Sequence, residues 1–277
     1  MAKSFEKIRV FRIAETKVNQ DAVEAWLRDM GADEFLADYT NGAYDDISDP
    51  AFLVALSAKQ CYMAFQPSLN PNLTKIRRDM VEYLDNVLKQ KHGSVLSHAW
   101  YTYAINGVSR VFTGENNRHA VGTAISERSM RYVRYEDINY WMPPCFRDQP
   151  GDDALLAYKK SASRDLMQQQ FTNQEQAMVA FAQLWKTELD GTNFHVKKTL
   201  TSAFRRIIGM GIATGGVWSG NLRSFRHMIA LRTDPSAEEE IVEVYRAIGA
   251  DLIDSVPEIF GDFSDKDGAL VPLHWKV

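Results

Sequence analysis

The apolar positions divide the chain into segments of two different periods. Residues 5–14 (Phe-Glu-Lys-Ile-Arg-Val-Phe-Arg-Ile-Ala) alternate in part and predict a first strand. Residues 19–30 predict a helix. Residues 38–50, rich in Asp, Asn, Gly and Pro, predict a loop. Across 49–65, Phe52, Leu53, Leu56, Ala58 and Cys61 define a helix with Asp49 near its cap and Pro50 in its first turn; Pro67 and Pro71 stop it. From Leu73, the positions Ile76, Met80, Leu84, Val87 and Leu88 recur at three and four, an amphipathic helix ending near Gly93. Residues 97–106 are aromatic and β-prone, a buried strand.

Gly107 opens a segment predicted to run as a helix into a polar cluster. Pro143, Pro144 and Pro150-Gly151 mark a loop. Thr172-Asn-Gln-Glu175 has the form of a capping box, starting a helix with Met178, Phe181 and Trp185 on one face. Residues 194–208 and 221–231 predict helices, with a glycine-rich turn at 209–220. Asp234-Pro235 predicts a further helix start, with Glu238–Glu240 where the dipole favours acids. Ile241, Tyr245, Ile248 and Leu252 line its buried face, and Pro257 ends it. No repeat or linker interrupts this order, so the pattern predicts one α+β domain over 1–277. Its parts are an N-terminal extension (1–48), a core (49–260) and a C-terminal tail (261–277).

Composition narrows the function. At 277 residues, 45% hydrophobic and 25% charged, the chain is ordinary globular material. A net charge of −4 gives no bulk attraction to nucleic acid or anionic membrane. The N-terminus lacks an apolar signal core and no apolar run is long enough to span a bilayer. The 2 cysteines, Cys61 and Cys145, form no CxxC pair, which fits a reducing cytoplasm.

Against this acidic background stands the run Asn117-Arg118-His119-Ala120-Val121-Gly122-Thr123-Ala124-Ile125-Ser126-Glu127-Arg128-Ser129-Met130-Arg131-Tyr132. Downstream, Arg205, Arg206, Asn221, Arg223, Arg226, His227 and Arg232 answer it. Arginine pairs bidentately with phosphate and keeps its charge at any working pH, and the interleaved Ser, Asn and His donate to the same oxygens. The two stretches therefore predict an anion site rather than a solvated face. Other chemistries fit less well. Gly209-Met-Gly211-Ile-Ala-Thr-Gly215-Gly216 resembles a dinucleotide fingerprint but lacks the strand before it and the helix after it. His92, His98, His119 and His227 have no helical i, i+4 pair and no completing Cys or Asp, so no metal is expected. His98 reads as a core histidine. Neither cysteine has a nearby histidine to activate it.

These residues resemble the flavin-dependent thymidylate synthase family over roughly residues 50–260. The family signature is Arg-His-Arg, then a serine and an Arg-Tyr pair. Arg118-His119, Ser129, Arg131-Tyr132 and Glu127 match it. His92-Gly-Ser94-Val-Leu-Ser97-His98 resembles the histidine-rich segment before the family's central strand. Arg205, Asn221, Arg223 and Arg232 resemble the downstream ligand residues, and Ala237–Ile241 the helix start after them. The departures are Ala120 for the third signature residue, a one-residue insertion before Ser129, Glu115 where glutamine is frequent, and Ser97 where glutamate is usual.

The resemblance implies a mixed or antiparallel sheet flanked by helices, assembled as a homotetramer with FAD at subunit interfaces. It implies C5-methylation of a uridine monophosphate, with methylenetetrahydrofolate supplying the carbon and NADPH the reducing power. The substrate is dUMP or, as in relatives serving nucleoside-antibiotic pathways, UMP. By the same resemblance Arg232 faces the base, while Glu115, Glu127, Ser129, Arg131 and Arg205 contact the nucleotide. Arg118 sits between nucleotide and flavin. Ser94, His119, Ala120, Glu127, Asn221, Arg223 and His227 hold FAD, and His92 stacks near its ring. Two alternatives stay open: a variant leaving another C5 product such as hydroxymethyl, and a non-catalytic nucleotide-binding protein.

Overall fold

The computed structural model describes residues 2–5, 7–73, 75–130 and 138–275. In chain order its strands are β1 (Lys3–Phe5), β2 (Arg9–Glu15), β3 (Trp100–Ser109), β4 (Thr123–Glu127), β5 (Asn139–Trp141), β6 (Ala213–Asn221), β7 (Phe263–Lys266) and β8 (Ala269–Pro272). Its helices are α1 (Gln20–Asp29), α2 (Asp33–Thr40), α3 (Asp49–Tyr62), α4 (Met80–Lys89), α5 (Arg110–Asn116), α6 (Ala154–Leu184), α7 (Lys186–Asp190), α8 (Phe194–Phe204), α9 (Leu222–Arg232), α10 (Glu239–Ser255) and α11 (Pro257–Phe260).

The central sheet is antiparallel, in the order β2-β3-β6-β4. On β3, Tyr101, Tyr103 and Ile105 alternate inward and are buried. They join a core built from α3, α4, α9 and α10 through Ala55, Leu84, Ile229 and Ile248. A second, smaller core gathers Ile138, Tyr140, Met142, Phe171, Met178 and Phe204.

Several expectations are corrected. The first strand is two: β1 pairs with β5, and β2 with β3. The glycine-rich stretch is no turn but the central strand β6. A Cβ at Gly215 would stand 2.7 Å from the Ile105 carbonyl oxygen, so the glycines mark crowded pairing rather than looseness. The predicted loop at 38–50 loses its start to α2. The helix expected from Leu73 begins only at Met80, where Asp79 accepts from the Glu82 N–H at 2.9 Å. Thr172–Glu175 caps nothing, because it lies inside α6, which Asp153 caps at Leu156 N–H. The helix expected at Asp234-Pro235 starts at Glu239, capped by Glu238; it ends at Ser255, just before Pro257 as expected, and Pro257 opens the short α11. His98 is exposed on a 3-10 segment, Gly93–His98, and not in a strand core. Cys61 and Cys145 are both exposed.

The C-terminal tail forms the β7–β8 hairpin, fastened by Arg226 of α9. Its Nη1 and Nη2 donate to Asp262 Oδ1 and Oδ2 at 2.6 and 2.9 Å, and Nη2 also donates to the His274 carbonyl at 3.1 Å. Among the described residues no helix is long and apolar enough to cross a membrane.

Candidate active site

The helix expected to run into the arginine–histidine cluster ends at Asn116, just before it. Ser109 caps α5 by accepting from the Val111 N–H at 3.0 Å, and the chain then turns outward through residues 117–122 before entering β4. Gly122 makes that turn at φ +68°, where a Cβ would press into the Asn221 and Ser224 side chains. The turn is stitched to the start of α9. Asn221 N–H donates to the Gly122 carbonyl at 3.0 Å, and Ser224 Oγ to the Val121 carbonyl at 2.9 Å. Asn221 also caps α9, its Oδ1 accepting from Ser224 N–H at 2.8 Å. The Leu222 N–H donates to the Ala99 carbonyl at 3.0 Å, which brings the end of the 3-10 segment alongside.

Where these three pieces meet lies a cleft of about 470 Å³, within the span of small-molecule sites. Arg118, His119, Ala120, Asn221, Arg223 and His227 line it, six residues expected to hold FAD or stand beside it. Its positive character combines two guanidiniums with the N-terminus of an eleven-residue helix. Sequence reading missed Val121, Ser224 and Met228 on the same wall. Nothing in their residue types distinguishes them; only the closeness of the 117–122 turn to α9 does. Ser97 and Ala120 also share the wall. Both are neutral where the resemblance leads one to expect a glutamate and an arginine.

At one edge Glu115, Arg118, His119 and Arg232 form a network. Arg232 Nε donates to His119 Nε2 at 2.8 Å, so that nitrogen carries no proton and the ring holds its proton on Nδ1. Burial, reinforced by the Arg232 charge, lowers the His119 pKa to about 4, so the imidazole is neutral at physiological pH. Glu115 Oε2 receives Arg118 Nη1 at 3.1 Å and Arg232 Nη1 at 3.4 Å. Arg232 is 14% exposed and Arg118 68%, so one cation is sheltered and the other reaches into solvent. His227 meets His119 edge-on, with ring centres 6.0 Å apart.

Other expected residues lie elsewhere. Glu127 turns to Arg110, which also donates to the Arg128 carbonyl, and so anchors the end of β4 instead of lining the cleft. Ser129 follows directly, half-buried; Arg131 lies outside the described residues. Ser94 is exposed and does not line the cleft. His92 accepts or donates at Nδ1 with Tyr62 Oη, 2.8 Å away, and lines a separate, smaller cavity. Arg205 is exposed in the 3-10 turn after α8, and no described contact joins it to the cleft. The nine-residue β6 alone spans about 30 Å between the segments carrying Arg205 and Arg223. Among the described residues no group of three or more His, Cys, Asp or Glu is placed to hold a metal ion.

Comparison with known proteins bears on the fold and the family. The solved UMP/dUMP methylase PolB from Streptomyces cacaoi, bound with 5-Br UMP, superposes with a TM-score of 0.61 at 12% identity, covering 94% of this chain and 95% of that one. Thymidylate Synthase X from Helicobacter pylori, with FAD and dUMP, gives a TM-score of 0.53 at 14% identity, over 92% and 98% of the two chains. These likenesses establish the fold. The flavin-dependent thymidylate synthase of Mycobacteroides abscessus is 32% identical over 217 residues, 76% of this chain and 78% of that one. The family model described as "Thymidylate synthase complementing protein" matches residues 43–258, and with that match the chain belongs to the flavin-dependent thymidylate synthase family.

Proposed function

We propose that the protein methylates C5 of a uridine monophosphate, dUMP, UMP or both, with a flavin, methylenetetrahydrofolate as carbon donor and NADPH as reductant. The observation carrying this reading is the sheltered Arg232, fixed by His119 and Glu115 at the edge of a cationic cleft. The names of solved relatives support the ligand class: one pair holds 5-Br UMP or 5-Br dUMP, another protein holds FAD and dUMP.

The cleft's lining suits the phosphate-bearing part of a flavin dinucleotide. Arg118 and Arg223 bring two guanidiniums to a pyrophosphate, with His227 and Ala120 beside them and the positive end of the α9 dipole behind. When bound, the flavin supplies the reducing equivalents, which is why neither exposed cysteine is required. Uracil C5 is a weak nucleophile toward the one-carbon unit, and moving negative charge onto N3 and the ring's carbonyl oxygens, as loss of the N3 proton does, activates it. Arg232, beside the cleft-lining His119, would stabilise that charge. It is already desolvated and oriented, so little reorganisation is needed as the charge develops. The neutral His119 orients the guanidinium without adding a competing positive charge. Ser129, Arg131 and Arg205 are assigned to the nucleotide phosphate, and Arg205 would reach it from a second subunit in the homotetramer implied by the family resemblance.

The test is direct. Protein reconstituted with FAD is incubated with NADPH, methylenetetrahydrofolate and either dUMP or UMP, and the nucleotide product is weighed. A mass gain of one methyl group supports the reading and identifies the ribose accepted. A hydroxymethyl product, or tight nucleotide binding without turnover, would overturn it.

A further inference from the structure

Lys59 of α3 is fully buried, with no carboxylate in ion-pair range among the described residues. Its Nζ donates to the Arg77 carbonyl at 2.8 Å and the Ala64 carbonyl at 3.3 Å, and lies 4.4 Å from the centre of the Tyr83 ring. Carbonyls and a ring face solvate an ammonium but do not cancel its charge. Burial, with help from Arg77 and Arg78, lowers its pKa to about 8, which leaves it mostly charged at neutral pH.

All three of these contacts, Ala64, Arg77 and Tyr83, line one cavity of about 160 Å³, so Lys59 stands directly behind its wall. Lys75, Asn86 and His92 line it as well. Lys75 Nζ and Arg77 Nε share a single carboxylate, Glu82, at 2.8 and 3.1 Å. Asp79 is engaged in capping α4. Three cations therefore face one acid, and among the described contacts Arg77 offers only its Nε to that acid. Its terminal nitrogens have the planar geometry that suits an oxyanion.

The position of the cavity narrows the choice of oxyanion. His92, in its lining, is joined to Ser97, in the lining of the large cleft, by the 3-10 segment. At about 2 Å per residue the two openings are separated by about 10 Å. On the reading proposed above, each co-substrate must bring its reacting end to the large cleft, and each is anionic at a distance from that end: NADPH through phosphates, the folate through glutamyl carboxylates.

We propose that the Lys75–Arg77–His92 cavity binds the oxyanion end of a co-substrate whose reacting end lies in the large cleft. Two fragments separate the sources: p-aminobenzoylglutamate for the carboxylates, adenosine 2′-phosphate for the phosphate. Calorimetry on the purified full-length protein should show one of them binding. Arg77→Gln should weaken it by about tenfold or more, the weight of one charge-assisted hydrogen bond. The exposed Lys75→Gln should weaken it too, and serves if Arg77→Gln fails to fold. In turnover the same variants should raise KM for the matching co-substrate, with kcat and nucleotide affinity unchanged. Failure of both fragments to bind, or equal binding by the variants, overturns the proposal. Fragment binding that depends on Arg77 sustains it even in a protein that makes no methylated nucleotide, an outcome that would sink only the proposed reaction.

Discussion

Arg232 Nε and His119 Nε2 are joined at 2.8 Å across 113 residues of chain, linking the last turn of α9 to the turn after α5. The bond fixes the guanidinium plane, and Glu115 fixes its other edge. Removing the side chain removes a preorganised cation but little of the apolar face by which α9 packs. Arg232→Ala should therefore keep its circular dichroism and its melting transition and lose turnover by about 10²–10³. Arg232→Lys should recover little, because an ammonium cannot serve His119 and Glu115 with a fixed planar fork. Near-normal product formation by Arg232→Ala would remove Arg232 from the chemistry.

His119 and Glu240 leave their ordinary ranges in opposite directions. Burial, then the charge of Arg232, brings His119 from 6.5 to about 4. Burial takes the Glu240 carboxyl from 4.5 up to about 7, against the hydrogen bonds from Ser109 that favour its charged form. As pH falls from 6.5 to 4, the unfolded chain protonates His119 and the folded one does not, so stability is lost. As pH falls from 7 to 4.5, the folded chain protonates Glu240 and the unfolded one does not, so stability is gained. The two slopes oppose each other. Relative to wild type, His119→Gln should gain stability in urea as pH falls from 6.5 to 4.5, and Glu240→Gln should lose it. A flat difference for either variant would show that its group does not carry that slope.

How far the sequence revealed this molecule depends on what kind of signal each element leaves. Helices α3, α4 and α10 were legible from their buried apolar positions. The long α6 buries Lys160 and Glu175 beside Phe171 and Met178, so no clean stripe marks it. Strand β6 was hidden because its glycines answer to crowding between β3 and β4, a property of the neighbours and not of the segment. At the site, Arg118, His119, Asn221, Arg223 and His227 were legible as residue types in two clusters, and the fold does bring them to one cleft. Glu127 and Arg205 were legible as types, but within one chain neither lines this cleft: β4 sets Glu127 against Arg110, and β6 separates Arg205 from the cleft. The Arg226–Asp262 clamp left no pattern, since its partners are 36 residues apart with no period linking them.

That clamp carries its own prediction. Arg226 is 4% exposed, and it satisfies Asp262 with two nitrogens while resting 4.9 Å from the Phe263 ring centre. Arg226→Met keeps the apolar stem but strands a buried carboxylate. It should cost about 3–5 kcal/mol in urea unfolding, as expected when one partner of a buried pair is removed. Arg226→Met with Asp262→Leu should recover most of that loss, because no charge is then left unpaired. A double variant as unstable as the single one would show that packing, not the charge, holds the hairpin.

Glu115 sits among cations in a site proposed for an anionic nucleotide, and it occupies both Arg118 and Arg232 through one oxygen, Oε2. Two consequences oppose each other. The carboxylate positions Arg232, which favours chemistry; its charge also repels a phosphate and competes for the guanidiniums, which weakens binding. Glu115→Gln keeps a side-chain oxygen to accept from Arg232 and discards the charge. At an effective dielectric of about 20, a unit charge at 4 Å is worth about 4 kcal/mol before solvent screening, so even a strongly screened remainder is measurable. Glu115→Gln should bind uridine monophosphate more tightly, severalfold in calorimetry at low salt, with the gain shrinking as salt rises. Turnover at saturating nucleotide should stay within a few-fold of wild type, because Arg232 keeps its two anchors. Glu115→Ala should show the same gain in binding but a clear loss of kcat, because there Arg232 is held by His119 alone. Weaker nucleotide binding by Glu115→Gln would mean that the carboxylate itself contacts the nucleotide instead of holding the arginines in reserve.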